Sequence, residues 1–337
     1  MALIKVKTGG VDNTTNLGRR NLIINGAMEI DQRNNNSAYT LSGSANFSAD
    51  RYKVWSNITS GSAVQVVSDA PSGFTKSMKI TVGTGATPTG ADYGRVYNSI
   101  EGYDWAKMRW GFSDAKDATI SFWVKSSVTG TFGVGIGSGN SYFYNTSYTV
   151  NSANTWEYKT VTISGYTSGG ITEFPITNGV GASLMFDLGE GPSRSTTLNT
   201  WSTHPSYSLA GLSGGTKILA TSGATWQVTG IQIEEGSSAT PFEHRPYAEE
   251  LALCQRYYYD TGSDVYCTGY GTNATGYAIA MVYPPSTMRV APTVTNSGLN
   301  YGTGFSSGSL SNTMIYLSCA TTDSNAPRGR LYADAEL

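Results

Sequence analysis

The sequence predicts an all-β protein built around a jelly-roll β-sandwich, and three observations carry this prediction. Apolar residues alternate with polar ones in many short segments, which is the period of a half-buried strand. The connections between those segments are rich in Gly, Ser, Thr and Asn, the residues of turns, and glycine accounts for 40 of the 337 residues. The period of a helix, about 3.6 residues, is clear in only one segment of the sequence. Short alternating strands without helices between them are typical of a sandwich or jelly roll.

Six segments before residue 240 alternate clearly. In Ala118–Ser126 the aliphatic and aromatic side chains Ile120, Phe122 and Val124 occupy one face. Thr225–Glu234 alternates until Gly230, where the apolar phase shifts by one position, and a glycine at such a slip indicates a β-bulge. The other four strand candidates are Ser62–Ser68, Ser77–Gly83, Trp156–Ser164 and Ala182–Gly189.

One short helix is predicted at Pro246–Tyr259. Pro246 suits a first helical turn, and Glu249 and Glu250 lie where the helix dipole favours negative charge. The preceding segment, Thr240–Arg245, has the character of a domain boundary. After the helix, further strands are predicted at Tyr277–Tyr283, Arg289–Thr295, Met314–Ala320 and Leu331–Leu337. The predicted units are an N-terminal arm (1–20), a jelly-roll domain (21–242), a joint with the helix (243–259) and a small C-terminal β domain (260–337).

Composition and charge argue against several classes of protein. The net charge is −2 and the pI is near 5.7, so no basic field favours a nucleic acid. No apolar run approaches the roughly 18 residues of a membrane span, and we expect no membrane insertion. Met1–Gly10 lacks the basic region and apolar core of a secretory signal. The three cysteines, Cys254, Cys267 and Cys319, are irregularly spaced, which favours free thiols over a disulfide framework.

Catalytic candidates are few, and we expect no enzyme activity. The chain lacks a phosphate-binding loop and a nucleophile elbow. We interpret His204 as a solvated loop residue. We interpret His244 as a residue that tethers the domain boundary by hydrogen bonds. Paired carboxylates could serve glycoside cleavage, although neighbouring acids are more often a solvated edge. The closest pairs in sequence are Glu101 with Asp104, Asp187 with Glu190, and Glu234 with Glu235.

Aromatic side chains crowd two polar stretches between the strand candidates. Rings cover the apolar C–H faces of sugars, and neighbouring amides and hydroxyls meet the sugar hydroxyls, so this combination suits a glycan. The competing interpretation is that these rings belong to the core, since a Trp in a β protein is more often packed than displayed. The predicted glycan-binding residues are Tyr93, Tyr97, Tyr103, Trp105, Trp110, Tyr142 and Tyr144.

Stretches at both ends of the chain resemble bacteriophage proteins. Asn21–Arg33 (NLIINGAMEIDQR), with Ala49–Tyr52 (ADRY), is similar to the opening of the carbohydrate-binding-module-like domain of phage tail fibres. Trp226–Tyr259 resembles the closing strand, joint and helix of many phage fibre and receptor-binding proteins. Met288–Val294 and Tyr332–Leu337 resemble the small C-terminal tip domain that follows this helix. The region between these stretches shows no motif that can be carried over.

The resemblance implies a jelly-roll domain, a homotrimer and a virion component that is made in the host cytoplasm. It implies a tail fibre that attaches the virion to host cell-surface polysaccharide, with residues 1–20 docking on the virion. Two alternatives stay open: a depolymerase of the same glycan, and a capsid (head) fibre or decoration protein. Jelly-roll carbohydrate modules often hold a structural calcium, and Glu29 and Asp31 occupy comparable places, whereas Gln232 stands where an acid is common.

The predicted helix offers an independent argument for assembly. A helix of this length is marginal in water and must dock on something. Three copies that meet on an axis would bury its apolar stripe and bring three weak sugar sites together. The predicted trimer contacts are Leu251, Leu253, Cys254 and Tyr257.

Overall fold

Two antiparallel sheets packed face to face form the larger part of the protein, and the predicted fold class is confirmed. The computed structural model describes residues 19–58, 61–138, 142–195, 197–203, 211–268, 277–300, 302–321 and 328–337. The predicted virion-attachment arm therefore lies outside the described residues except for its last two, and His204 lies outside them too. The sandwich strands are β1 (Tyr39–Thr40), β2 (Asn46–Phe47), β3 (Tyr52–Ser56), β4 (Ala63–Val67), β5 (Ser77–Thr81), β6 (Gly94–Glu101), β7 (Ala118–Ser126), β8 (Gly130–Gly137), β9 (Tyr142–Val150), β10 (Glu157–Ile163), β11 (Val180–Asp187), β12 (Trp201–Thr203) and β13 (Thr225–Glu235).

The strands divide into a six-stranded sheet A and a seven-stranded sheet B. Sheet A has the order β1-β4-β5-β13-β7-β10, and sheet B the order β12-β9-β8-β11-β6-β3-β2. Their inner faces enclose one core, in which Ile120, Phe122 and Val124 of β7 are fully buried, as the alternation predicts. Burial of such a side chain stabilises the fold by about 1.5–3 kcal/mol. The inner faces of the two sheets are therefore closed to a ligand.

The helices are short. They are α1 (Gly102–Trp105), α2 (Gly170–Glu173) and α3 (Tyr247–Gln255), with 3-10 turns at Ala106–Met108, Pro192–Arg194 and Ile218–Ala220. Helix α3 corresponds to the predicted helix but ends earlier, because Tyr258 already belongs to a strand. Within the described ranges, none of the helices is long and apolar enough to cross a membrane.

Two smaller antiparallel sheets follow helix α3. Their strands are β14 (Tyr258–Asp260), β15 (Val265–Tyr266), β16 (Tyr277–Val282), β17 (Thr293–Asn300), β18 (Gly302–Ser311), β19 (Met314–Thr321) and β20 (Arg328–Asp334). Strand β20 pairs with β14, β15 and β17, and β19 pairs with β16 and β18. Strand β17 begins four residues later than predicted, directly after Pro292, which has no N–H to give to a ladder. Ala278, Ile315, Leu317 and Leu331 are among the residues of the separate core of this unit.

Buried ion pairs join the C-terminal unit to the sandwich. Arg51, which precedes β3, forms an ion pair with Glu336, and the side chains of both residues are at most 5% exposed. Glu101 at the end of β6 accepts hydrogen bonds from Arg256 (2.6 and 2.8 Å) and from the Tyr257 hydroxyl (2.6 Å). Loss of one partner of a buried pair costs about 3–5 kcal/mol, because a charge is left buried without compensation. These pairs hold the two units in one arrangement.

The N-terminal segment completes the same junction. The Asn21 backbone N–H donates to Glu243 Oε2 (2.8 Å), and Arg245 donates to the Ile23 carbonyl (3.0 Å). Arg245 also pairs with Glu250 of α3 (3.3 Å). The stretches that resemble phage fibres, at residues 21–33, 49–52, 226–259, 288–294 and 332–337, therefore meet at this junction although the sequence separates them widely.

The face of α3 assigned to a trimer axis is partly used inside the chain. Cys254 and Tyr257 are completely buried against Ile24 and Ile30 in a small apolar cluster, so they are not available to a second copy. For these two residues the predicted trimer contact is wrong. Their burial is explained by the N-terminal segment, which covers the helix and removes the need for a partner copy at that face. Leu251 and Leu253, the other predicted contacts, pack at the edge of this cluster and stay half-buried.

The buried carboxylate of Asp50 gives the junction a dependence on pH. Asp50 is 1% exposed, and burial raises its pKa from 3.8 to about 6, against the opposing effects of Arg33 and of hydrogen bonds from Gln32. Since ionisation is harder in the folded state, the stability that the protonated group contributes is present below its unfolded pKa and is lost as pH rises through about 6.

We expect Asp50→Asn to remove this dependence. Relative to the variant, the wild-type protein should lose about 3 kcal/mol of unfolding free energy between about pH 4 and pH 8, which is the shift of the pKa converted to energy. Denaturant unfolding of both proteins across that range measures the difference. Parallel curves for the two proteins would contradict the assignment.

Candidate functional site

Three of the seven rings predicted to bind glycans are buried. Trp105 and Trp110 are each 1% exposed and Tyr144 is 8% exposed, so none of them can lie flat against a sugar. For these residues the competing interpretation, core packing, is correct. Aromatic residues that lie close together in the sequence pack against one another here. Such packing occurs at the end of a core as often as in a binding loop.

Trp105, Trp110, Tyr142 and Tyr144 belong to one chain of rings at an end of the sandwich. Trp105 contacts Trp110 with ring centroids 4.7 Å apart, and Trp110 contacts Trp201 at 5.0 Å. Trp201 also contacts Tyr144 at 5.7 Å. Tyr142 is half-buried and reaches the chain through Tyr166, which lies 4.9 Å from Trp201 and 4.8 Å from Tyr142. This cluster closes the end of the core.

The remaining three predicted rings lie apart from one another. Tyr97 is half-buried on the outer face of sheet B beside Phe143 and Met185, and burial raises its pKa to about 12. Tyr93 is half-buried and packs edge-to-face against a neighbouring tryptophan ring. Tyr103 on α1 is 61% exposed. Within the described ranges, no ring contact joins any two of the three, so they do not form a common platform.

A different set of rings does form a platform, on the outer face of sheet A. We name it the aromatic strip; it consists of Phe74, Trp123, Tyr158, Phe242 and His244. Trp123 of β7 lies directly opposite Tyr158 of β10 in the ladder, and their rings are 5.4 Å apart. Phe74 contacts Phe242 at 5.0 Å and His244 at 5.2 Å, and the latter two are 4.8 Å apart. The strip faces solvent, because His244 is exposed, Tyr158 is 43% exposed and the other rings are half-buried.

The bulge at Gly230 joins the two halves of the strip. The pairing of β13 with β7 shifts register between Thr229 and Gln232, and Gly230 has φ +62°, which confirms the predicted bulge. A Cβ at this position would lie 2.6 Å from the Phe74 ring and 3.1 Å from the Trp123 ring. Both rings therefore rest on the bare glycine. A larger residue would force them off the sheet.

Polar groups border the strip at the Trp123 end. Asp69 accepts hydrogen bonds from the Trp156 indole N–H (3.3 Å) and from Gln227 (3.2 Å), and it forms an ion pair with Lys125. The hydrogen bond from Lys125 contributes most to the lowered pKa of Asp69, so this carboxylate stays ionised. The Lys125 ammonium also lies 5.1 Å from the centre of the Trp156 ring. This border offers fixed donors and acceptors with balanced charge.

The two calcium candidates bond to different neighbours. Glu29 accepts a hydrogen bond from Thr75 (2.5 Å), whereas Asp31 accepts from the backbone N–H groups of Asn34 (3.0 Å) and Asn36 (2.8 Å). Burial raises the pKa of Asp31. Across the described residues, no group of three or more His, Cys, Asp or Glu side chains is arranged to hold a metal ion. The calcium prediction gains no support from this part of the chain.

The strongest carboxylate candidates for catalysis are buried and paired with cations. Asp187 is completely buried and accepts from Lys217 (2.7 Å), and Glu190 is 1% exposed and pairs with Arg95 (2.8 Å). Burial raises the pKa of Glu190 to about 8, against the attraction of Arg95. Glu101 is held at the junction by Arg256. The three carboxylates therefore form structural ion pairs with neighbouring cations.

Comparisons with known proteins were made at the level of sequence and of structure. No protein-family model matches the sequence, and no curated protein does. Among solved structures, the enzymatically active domain of tailspike protein 4 of bacteriophage CBA120 matches 64% of this chain and 21% of its own length, with 15% identity and a TM-score of 0.32. The present chain thus spans about a fifth of that domain.

Two carbohydrate-binding modules are also similar to this chain. A CBM61 module in complex with β-1,4-galactotriose matches 64% of this chain and 99% of its own length, at 8% identity and a TM-score of 0.32. A family 11 module from Clostridium thermocellum, in complex with a mixed-linked tetrasaccharide, matches 61% and 98%, at 14% identity and a TM-score of 0.29. At these TM-scores the similarity carries no argument about function, which must come from the residues.

We expect Gly230→Ala to destabilise the protein and to disorder the strip. The left-handed conformation alone costs a non-glycine residue about 1–2 kcal/mol, and displacement of two rings adds about 1–3 kcal/mol. Gly214→Ala is the matched control, since Gly214 has φ +69° and open space around its Cα. Denaturant unfolding should give the larger loss at 230, and equal losses would contradict the contact of both rings with Gly230.

Proposed function

We propose that this chain is a glycan-binding attachment protein and that the aromatic strip is its binding surface. The observation that carries the proposal is the strip itself: five rings that reach solvent from two loops and two strands, with the bulge at Gly230 between its two halves. Rings on the outer face of a sheet contribute little to the core. Exposed rings lower the solubility of a protein, so their placement here needs an explanation. A ligand with apolar faces provides one.

The chemistry of the strip matches a saccharide better than an apolar ligand. The rings of Trp123 and Tyr158 provide flat surfaces for the C–H faces of pyranose rings. Asp69, whose side chain is 49% exposed, and Lys125 stand beside them with an acceptor and a donor for hydroxyl groups, and the buried Gln227 holds Asp69 in place. A rim of hydrogen-bonding groups around a flat aromatic floor favours a polyhydroxylated ligand. Because the adjacent Lys125 and Asp69 neutralise each other, the strip has no net attraction for an anionic chain.

Attachment of a virion to host cell-surface polysaccharide is the biological role that we propose, through a tail fibre. The support is the resemblance of residues 21–33, 49–52, 226–259, 288–294 and 332–337 to phage fibre proteins, together with the contacts that bring these stretches to one junction. A capsid fibre or decoration protein would use the same surface. Immunolabelling of intact particles distinguishes head from tail.

The binding proposal is tested by Tyr158→Ala on an array of bacterial surface polysaccharides. Loss of one stacked ring removes about 1 kcal/mol or more of contact energy, so we expect affinity to fall about tenfold. Tyr158→Phe keeps the ring and should bind as the wild type does. Tyr103→Ala is the matched control, since Tyr103 is more exposed than Tyr158 but lies outside the strip.

The same incubations separate binding from cleavage. Release of reducing ends from a bound polysaccharide would favour the depolymerase alternative over an adhesin. Wild-type affinity in Tyr158→Ala, or an equal loss in Tyr103→Ala, would contradict the assignment of the strip.

We also propose that the chain assembles as a homotrimer through the part of α3 that the junction leaves uncovered. Leu251 and Leu253 are half-buried, and Tyr247 is 61% exposed on the same helix. Trimerisation would place three strips on one particle, and weak sites acting together gain about 10²–10⁴ in avidity.

Light scattering tests the assembly. The wild type should have three times the 35.8 kDa mass of the chain, and Leu253→Asp should dissociate it because a charge would be buried at the axis. Ala252→Asp, at an exposed neighbouring position, is the control. Circular dichroism checks that both variants stay folded. A monomeric wild type, or a trimeric Leu253→Asp protein, would contradict the proposal.

A further inference from the structure

An open surface cavity of about 660 Å³ lies on the C-terminal unit, and all the residues that line it follow helix α3. Its walls include Tyr258 of β14, Thr293 and Thr295 of β17, and Tyr332 and Asp334 of β20. Ligand sites in proteins usually measure about 300–1,000 Å³. The cavity is thus large enough for a small ligand.

The alternation of β20 directs a polar face into this cavity. Leu331 and Ala333 are buried in the core of the C-terminal unit, while Tyr332 and Asp334 between and after them lie on the other face. In the ladder, Thr295 of β17 is opposite Tyr332 and Thr293 is opposite Asp334. Both threonines are exposed. The face therefore presents a ring, a carboxylate and a row of hydroxyls side by side.

The cations around the cavity are committed to protein groups. Arg33 pairs with Asp334 (3.1 Å), and its guanidinium lies between the rings of Phe47 and Tyr258, 3.9 and 3.7 Å from their centres. Arg289 donates to three backbone carbonyls at 2.7–2.8 Å. With these positive charges engaged by protein groups, the cavity does not favour an anion.

We propose that this cavity is a second binding site, which takes a neutral saccharide. Threonine and tyrosine hydroxyls and the Asp334 carboxylate bind sugar hydroxyls, and the half-buried Tyr332 ring covers a C–H face. An apolar ligand would cover the exposed threonine hydroxyls without giving them hydrogen bonds, at a cost for each polar group that it covers. A uronic or sialic acid would find Arg33 and Arg289 already engaged by protein groups. The site is separate from the aromatic strip and does not depend on it.

The test uses an array that carries neutral hexose oligosaccharides and their hexuronate-containing counterparts. Thr295→Arg places a long side chain in the cavity from an exposed strand position, so the fold is retained. Thr313→Arg makes the same substitution at an exposed turn of the same unit, outside the cavity wall. Each variant is also made in the Tyr158→Ala background, which weakens the strip.

In the Tyr158→Ala background we expect Thr295→Arg to lower the remaining binding of neutral oligosaccharides at least tenfold, while Thr313→Arg leaves it unchanged. Equal binding by the two arginine variants would overturn the proposal. So would a preference for the hexuronate-containing probes, or an absence of neutral binding by the wild type. Failure of the strip shows instead as wild-type affinity in Tyr158→Ala alone, so the two sites are judged separately.

Discussion

The buried charges at the junction are the constraint on which the rest of the structure depends. Arg51 with Glu336, and Glu101 with Arg256, leave water only because each finds its partner, and an ion without a partner costs several kcal/mol. Such pairs tolerate one arrangement of the units and oppose others. The N-terminal segment, helix α3 and strand β20 are therefore fixed against the sandwich.

Much of the fold could be predicted from the sequence, because alternation is a direct consequence of strand geometry. The six segments predicted before residue 240 are strands, and Ala118–Ser126 is one from end to end. Seven other strands of the sandwich fall outside these segments, and the three longest of them are β6, β8 and β9. In β8, glycine occupies alternate positions where a polar residue is usual, so the segment has the composition of a loop. In β9, aromatic and polar residues alternate with rings on both faces, which hides the period.

The candidate site could not be predicted by looking for local crowding of rings. Phe74, Trp123, Tyr158, Phe242 and His244 come from four distant parts of the sequence, and only the ladder register and the Gly230 bulge bring them together. One signal was present. Trp123 occupies a polar position in the predicted strand Ala118–Ser126, opposite to the apolar face. A large ring on the predicted outer face of a strand is more informative than several rings close in sequence, which here mark the end of a core.

The pairing of Lys125 with Asp69 beside the strip has a consequence for the environment in which the protein can act. Dissolved salt screens the attraction between exposed charges that are separated by more than a Debye length, which is about 8 Å at physiological ionic strength. Stacking of rings on sugars involves no net charge, so mobile ions have nothing to screen. The Asp69 carboxylate is already in contact with the Lys125 ammonium, so salt changes its interactions little. Binding of a neutral saccharide at the strip, as we propose it, would therefore change little with salt concentration, whereas a surface that attracts charged polymers over long range would release them as salt rises.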